Sequence, residues 1–152
     1  MYTLSHAIPV NPAGAEPTLT QAQVWRGLEI KAENAMPFVD GMTQCDVDSR
    51  EANVITRTIT FRGTQHRERI TLFAPVKVQF ERLDGTGWID NVISESADGL
   101  LLAFTFGITF PGIAEGSPDE QAQGDTMRGA YTGAVAATLN RVRQMVRDGE
   151  LA

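Results

Sequence analysis

Four polar residues, Arg57, His66, Glu68 and Asn91, carry the chemistry this sequence could do. Each falls in a stretch of alternating character, on the side that otherwise holds Ile55, Ile59, Ile70, Ile89 and Ile93. A period of two places these residues together on the inward side of strands. Glu95 joins the set at the end of its stretch. Three uses are open to such a cluster. Arg57 and Glu68 can satisfy each other as a buried pair, since a lone buried charge is costly. The group can grip the polar end of an apolar ligand. Glu68 or His66 can move a proton, which requires a suitably placed substrate.

Other chemistries lack their residues. Only two histidines occur, His6 and His66, with no HExxH or CxxC spacing, so no metal is expected. His6 reads as a core or rim histidine. No GxGxxG or GxxxxGK[ST] loop is present to cradle a nucleotide, and no cofactor is expected. There is no GxSxG elbow, and Cys45 has neither a recognisable base nor a disulfide partner. No catalytic residue is assigned.

The elements that must position the cluster are short strands followed by one long helix. Tyr2–Val10 alternates as a half-buried strand. Thr20 and Gln23 form a capping box, with Leu19 and Val24 as a hydrophobic staple, opening a helix to about Glu33 with Val24, Trp25, Leu28 and Ala32 on its apolar side. Met36–Val39 reads as a second short helical piece ended by Gly41. Six strands follow, at about Thr43–Ser49, Asn53–Arg62, Gln65–Phe73, Val76–Leu83, Thr86–Ser94 and Leu100–Phe110. Short turns join them, so the expected arrangement is an antiparallel meander.

Turn positions predict the register. A Gly63-Thr64 loop pairs Phe61 with His66, Ile59 with Glu68, Arg57 with Ile70 and Ile55 with Leu72, leaving Arg57 and Glu68 diagonal to each other. Thr58, Thr60, Arg67 and Arg69 then face solvent. An Asp84-Gly85 turn pairs Phe80 with Ile89, Val78 with Asn91 and Val76 with Ile93. The next connection sets Ile93 beside Phe104, Asn91 beside Phe106 and Ile89 beside Ile108. All these pairings agree on one apolar face carrying Leu102, Phe104, Phe106, Ile108 and Phe110.

That face needs a cover, and Ser117–Leu151 supplies it. Ser117 caps, Pro118 takes the first helical position, Glu120 reaches back to the cap, and Gly149 stops the helix. Met127, Tyr131, Ala134, Val135, Thr138, Val142, Met145 and Val146 form its apolar stripe. Gly124, Gly129 and Gly133 interrupt the helix, either loosening its first turns or leaving room beneath it. The GxxxG spacing of Gly129 and Gly133 indicates close packing more readily than dimerisation.

At 152 residues, 42% hydrophobic and 21% charged, the composition is that of one globular domain, spanning 1–152. A net charge of −6 argues against nucleic acid as a partner. No apolar run is long enough to insert in a membrane, and Met-Tyr-Thr-Leu-Ser-His has no signal-peptide character. A cytoplasmic protein, monomer or homodimer, is the expectation.

The order strand, two short helices, six antiparallel strands and a long terminal helix resembles the helix-grip fold of the START/Bet v 1-like (SRPBCC) superfamily. Pro9-Val10-Asn11-Pro12, the run Leu19–Leu28, Lys31-Ala32, Pro37-Phe38-Val39, Phe110-Pro111-Gly112 and Glu115–Pro118 together resemble its AtaL-like, DUF1857 branch along essentially the whole chain. The resemblance implies an α+β fold, with a seven-stranded antiparallel sheet wrapped around the C-terminal helix. It also implies a deep cavity between them for a hydrophobic small molecule, the expected partner. Some fungal members look linked to secondary-metabolite pathways. Arg57, His66, Glu68, Asn91, Phe104, Phe106 and Tyr131 are the candidate ligand-binding residues. A binding module and an enzyme of the polyketide cyclase or aromatase kind remain the two functional readings.

Overall fold

The computed structural model describes all residues, Met1–Ala152. Its elements are β1 (Tyr2–Pro9), α1 (Gln21–Glu33), β2 (Met42–Glu51), β3 (Val54–Phe61), β4 (Thr64–Phe73), β5 (Lys77–Arg82), β6 (Gly87–Ser94), β7 (Leu101–Ile108) and α2 (Pro118–Arg147). The seven strands form one antiparallel sheet in the order β1-β7-β6-β5-β4-β3-β2. The α+β, helix-grip architecture expected from the sequence is the one observed.

Both helix starts follow from their caps. The Gln23 N–H donates to Thr20 Oγ1 at 3.2 Å, while the Thr20 N–H donates to Gln23 Oε1 at 2.9 Å. Leu19 and Val24 on either side of this box are buried in the core. At α2 the Glu120 N–H donates to Ser117 Oγ, and Glu120 Oε1 accepts from the Gly116 N–H, one residue earlier than a capping box requires. Gly149, at φ +72°, ends the helix, with the Glu150 N–H returning to the Met145 carbonyl.

Met36–Val39 departs from the expected second helix. It makes a single turn, with the Val39 N–H donating to the Ala35 carbonyl at 3.0 Å, and goes no further. Pro37 offers no N–H with which to continue a ladder.

Two registers differ from expectation, each by two residues. Arg57 lies opposite Glu68 and Ile59 opposite His66, because the β3–β4 turn is Arg62-Gly63 and not Gly63-Thr64. Both turn residues have positive φ, +48° and +81°, the geometry of a type I′ hairpin turn. Likewise Asn91 lies opposite Phe104, and Ile89 opposite Phe106. The β5–β6 pairing of Phe80 with Ile89 and Val78 with Asn91 is as expected. A slip of two preserves which face each side chain occupies. Ile55, Arg57, Ile59, Glu68 and Ile70 are therefore all buried on the concave face, while Arg67 and Arg69 are exposed.

The core runs from α1 through the concave face to the C-terminal half of α2. Val135, Leu139, Val142 and Met145 pack there with Leu28, Phe38, Leu102 and Phe104. Gly27 allows the helices to meet, since a Cβ there would lie 2.4 Å from Val142 Cγ2. α2 packs along β1, β7 and α1. A cavity lies between the sheet and the stretch of α2 from Met127 to Thr138, with β3, β4 and β5 contributing to its wall.

Candidate functional site

The cavity has a volume of about 790 Å³. Its wall draws on every layer of the fold: Phe80, Ile89, Phe104, Phe106 and Ile108 from the sheet, Phe38 and Val39 from the segment after α1, and Tyr131, Ala134 and Thr138 from α2. Exposed wall residues, among them Arg62, Thr64, Pro111, Gly129 and Gly133, mark its rim. The two glycines matter by what they lack, because a Cβ at either would meet nothing within 4 Å. Gly124 is different: a Cβ there would lie 2.1 Å from Tyr2 Cδ2, so this glycine seats the Tyr2 ring.

All seven residues singled out from the sequence, Arg57, His66, Glu68, Asn91, Phe104, Phe106 and Tyr131, line this cavity. Glu95 does not. It follows the last residue of β6 and is exposed.

Arg57 and Glu68 form a pair in the wall. Arg57 Nε and Nη2 donate to Glu68 Oε2 at 2.9 and 2.8 Å. The remaining Nη1 donates to the carbonyls of Lys31 and Ala32 at 2.8 and 2.9 Å. These carbonyls belong to the last turn of α1, whose orphan acceptors and negative dipole end suit a cation. Arg57 thus ties β3, β4 and α1 together, and its donors are engaged within the protein.

His66 is turned toward the β5–β6 loop, with Nδ1 3.4 Å from Asp84 Oδ2. Hydrogen bonds from the Thr86 side chain and N–H hold the Asp84 carboxyl below the usual carboxylate range, with a smaller contribution from His66. Tyr131 stacks on Phe106, ring centroids 5.1 Å apart, and Phe106 meets Phe104 edge-on at 6.2 Å. Burial raises the Tyr131 phenol above its ordinary value, against the pull of Arg82 and Arg62, so it stays protonated at neutral pH.

The residue that sequence reasoning missed is Lys31. Its side chain is only 7% exposed and lines the cavity. Nζ donates to Asn91 Oδ1 at 3.0 Å and lies 4.3 Å from the Phe104 ring centroid and 5.5 Å from that of Phe80. Burial, and next the Arg57 charge, lower its pKa from 10.5 to about 7, with Glu68 opposing. The fully buried Asn91 Nδ2 has no partner. Lys31 lies four residues after Gly27 and three after Leu28, on the stripe begun by Val24, so helical periodicity alone pointed it inward.

The family model described as "Acetylaranotin biosynthesis cluster protein L" matches residues 4–149. The chain belongs to the AtaL family. A relative of that same description from Aspergillus terreus is 22% identical over 153 residues, covering 99% of this chain and 93% of its own. Among solved structures, the Zhui aromatase/cyclase from Streptomyces sp. R1128 superposes with a TM-score of 0.66 at 14% identity, covering 95% of each chain. The protein Ara h 8.0201 gives 0.57 at 10% identity, over 93% of this chain and 97% of its own. These likenesses establish the Bet v 1-like fold of this AtaL-family chain.

Proposed function

We propose that this protein holds a hydrophobic small molecule between its sheet and α2, with the buried wall of Lys31, Arg57, Glu68 and Asn91 orienting the ligand's polar end. The supporting observation is the cavity itself. At about 790 Å³ it falls within the roughly 300–1,000 Å³ usual for small-molecule sites, and it joins an aromatic wall to a few convergent polar groups. Phe104, Phe106 and Tyr131 offer ring faces and edges for a flat ligand. Arg57 and Glu68 act by shaping the wall, and His66 lies along it near the Asp84 turn.

A second reading, an enzyme of the aromatase/cyclase kind acting in secondary metabolism, has one observation in its favour. Lys31, at a pKa of about 7, could give or take a proton at neutral pH. The relatives' names point the same way, one belonging to a biosynthesis cluster and another to an aromatase/cyclase.

Native mass spectrometry of the protein purified from its own host tests the binding reading. A mass increment that is lost on denaturation, and identified as an apolar small molecule, is the expected result. An unliganded protein that also gains no thermal stability from flat apolar probes contradicts it. Returning the released molecule to fresh protein separates the two readings: recovery unchanged supports binding alone, and conversion supports the enzyme.

A further inference from the structure

Resting on the cavity reading, we propose that Lys31 and Asn91 form a seat for an acidic oxygen, a carboxylate or phenolate carried by a flat and otherwise apolar ligand. Three observations carry this. Charge comes first. Arg57 is neutralised by Glu68 at 2.8 Å, which leaves Lys31 as the cation of this buried cluster without an acid of its own. Glu68 of β4 is the acid whose charge reaches Lys31, but it is bonded to Arg57 of β3, whose opposing charge acts on Lys31 more strongly. Around these, β5 brings Phe80, β6 Asn91 and β7 Phe104, while α2 contributes no charged side chain to the cavity wall. Its one titratable group there, Tyr131, stays a neutral phenol.

The second observation is unmet hydrogen-bonding capacity. A protonated lysine has three donors, and Lys31 Nζ uses one, on Asn91 Oδ1. The Asn91 Nδ2 has no partner at all, in a residue fully removed from solvent. Lys31 Nζ therefore has donors to spare and Asn91 Nδ2 has no acceptor at all, and an oxygen with several lone pairs would serve both. The third is shape. Phe80 and Phe104 flank Lys31 Nζ, and Phe106 and Tyr131 continue the aromatic wall, so a ligand that reaches the seat does so along ring surfaces.

The proton balance follows. A ligand acid entering against neutral Lys31 transfers its proton to Nζ, and the products are an oxyanion and an ammonium held together away from water. A ligand already ionised draws that proton from solvent. In both cases the bound complex carries a protonated Lys31, whose pKa near 7 in the free protein rises when the anion binds.

The test uses 2-naphthoate and its neutral isostere 2-naphthamide as probes of the whole protein, titrated calorimetrically from pH 6 to pH 9. The expected result is naphthoate bound at least about tenfold more tightly at pH 6, its affinity falling toward about tenfold per pH unit above Lys31's pKa, with proton uptake visible in buffers of different ionisation heat. In Lys31→Met the two affinities converge. A further probe, 4-nitrophenol, reports its own ionisation by colour. Its appearance as the anion below its free pKa extends the seat to phenolates, and failure to ionise assigns the seat to carboxylates. Naphthamide binding as tightly as naphthoate, with no pH dependence in the unsubstituted protein, overturns the seat while leaving the cavity reading intact. Binding of neither probe overturns both.

Discussion

Arg57 and Glu68 stand directly opposite each other on β3 and β4, and a single carboxylate oxygen of Glu68 receives both Nε and Nη2 of Arg57. Both residues are buried, so removing one strands the other's charge. Glu68→Gln should therefore destabilise the fold by about 3–5 kcal/mol in urea denaturation. Arg57→Met should cost at least as much, because it also uncovers the Lys31 and Ala32 carbonyls at the end of α1. The double replacement Arg57→Met with Glu68→Gln should cost less than the two single losses added together. Additive losses would mean that the pair is not coupled.

Lys31 makes stability depend on pH. Its folded pKa of about 7 lies below the ordinary 10.5, so between these values the unfolded chain holds a proton that the folded chain has released. Its contribution to stability therefore rises with pH from about 7 to 10.5, and its full penalty is present below 7. Lys31→Met should raise the melting temperature most at pH 6, and this gain should vanish toward pH 10.5. A gain that is the same at both ends of the range would show that Lys31 is not desolvated in the folded protein.

Glycines of α2 should separate into two kinds on substitution by alanine. Gly133→Ala should stabilise by up to about 1 kcal/mol, since the added Cβ meets nothing within 4 Å and helix propensity improves. Gly124→Ala should destabilise by about 1–3 kcal/mol despite the same propensity gain, because its Cβ meets the Tyr2 ring. Thermal unfolding of the two variants checks both signs. Equal effects would place Tyr2 away from Gly124.

Much of this architecture was legible in the chain because it rests on local rules. Thr20 and Gln23 announce α1, Ser117 and Pro118 announce α2, and Gly149 ends it. The β3–β4 register was misread by two because Arg62 takes a left-handed conformation, rare for a residue with a Cβ, and shifts the turn one residue back. Strand side chains repeat every two residues, so the cluster of Arg57, His66, Glu68 and Asn91 still reached the cavity wall. Lys31 escaped notice for a different reason. A lysine on an apolar stripe usually extends its amine to solvent, and only the packed fold shows this one held under Asn91, Phe80 and Phe104. Glu95 erred in the other direction, since β6 ends before the alternation that suggested it.

Filling the cavity tests ligand binding most directly. Ala134→Trp on α2 places an indole in the space between Tyr131 and Thr138, and Gly133→Trp is a second variant at a position with open space around it. Their thermal unfolding transitions establish that the fold is intact. Calorimetric titration with 2-naphthamide should then show wild-type protein binding the probe and the filled variants losing at least about tenfold in affinity. Folded variants that bind 2-naphthamide as tightly as the wild type would place the ligand outside the cavity and contradict the proposed function.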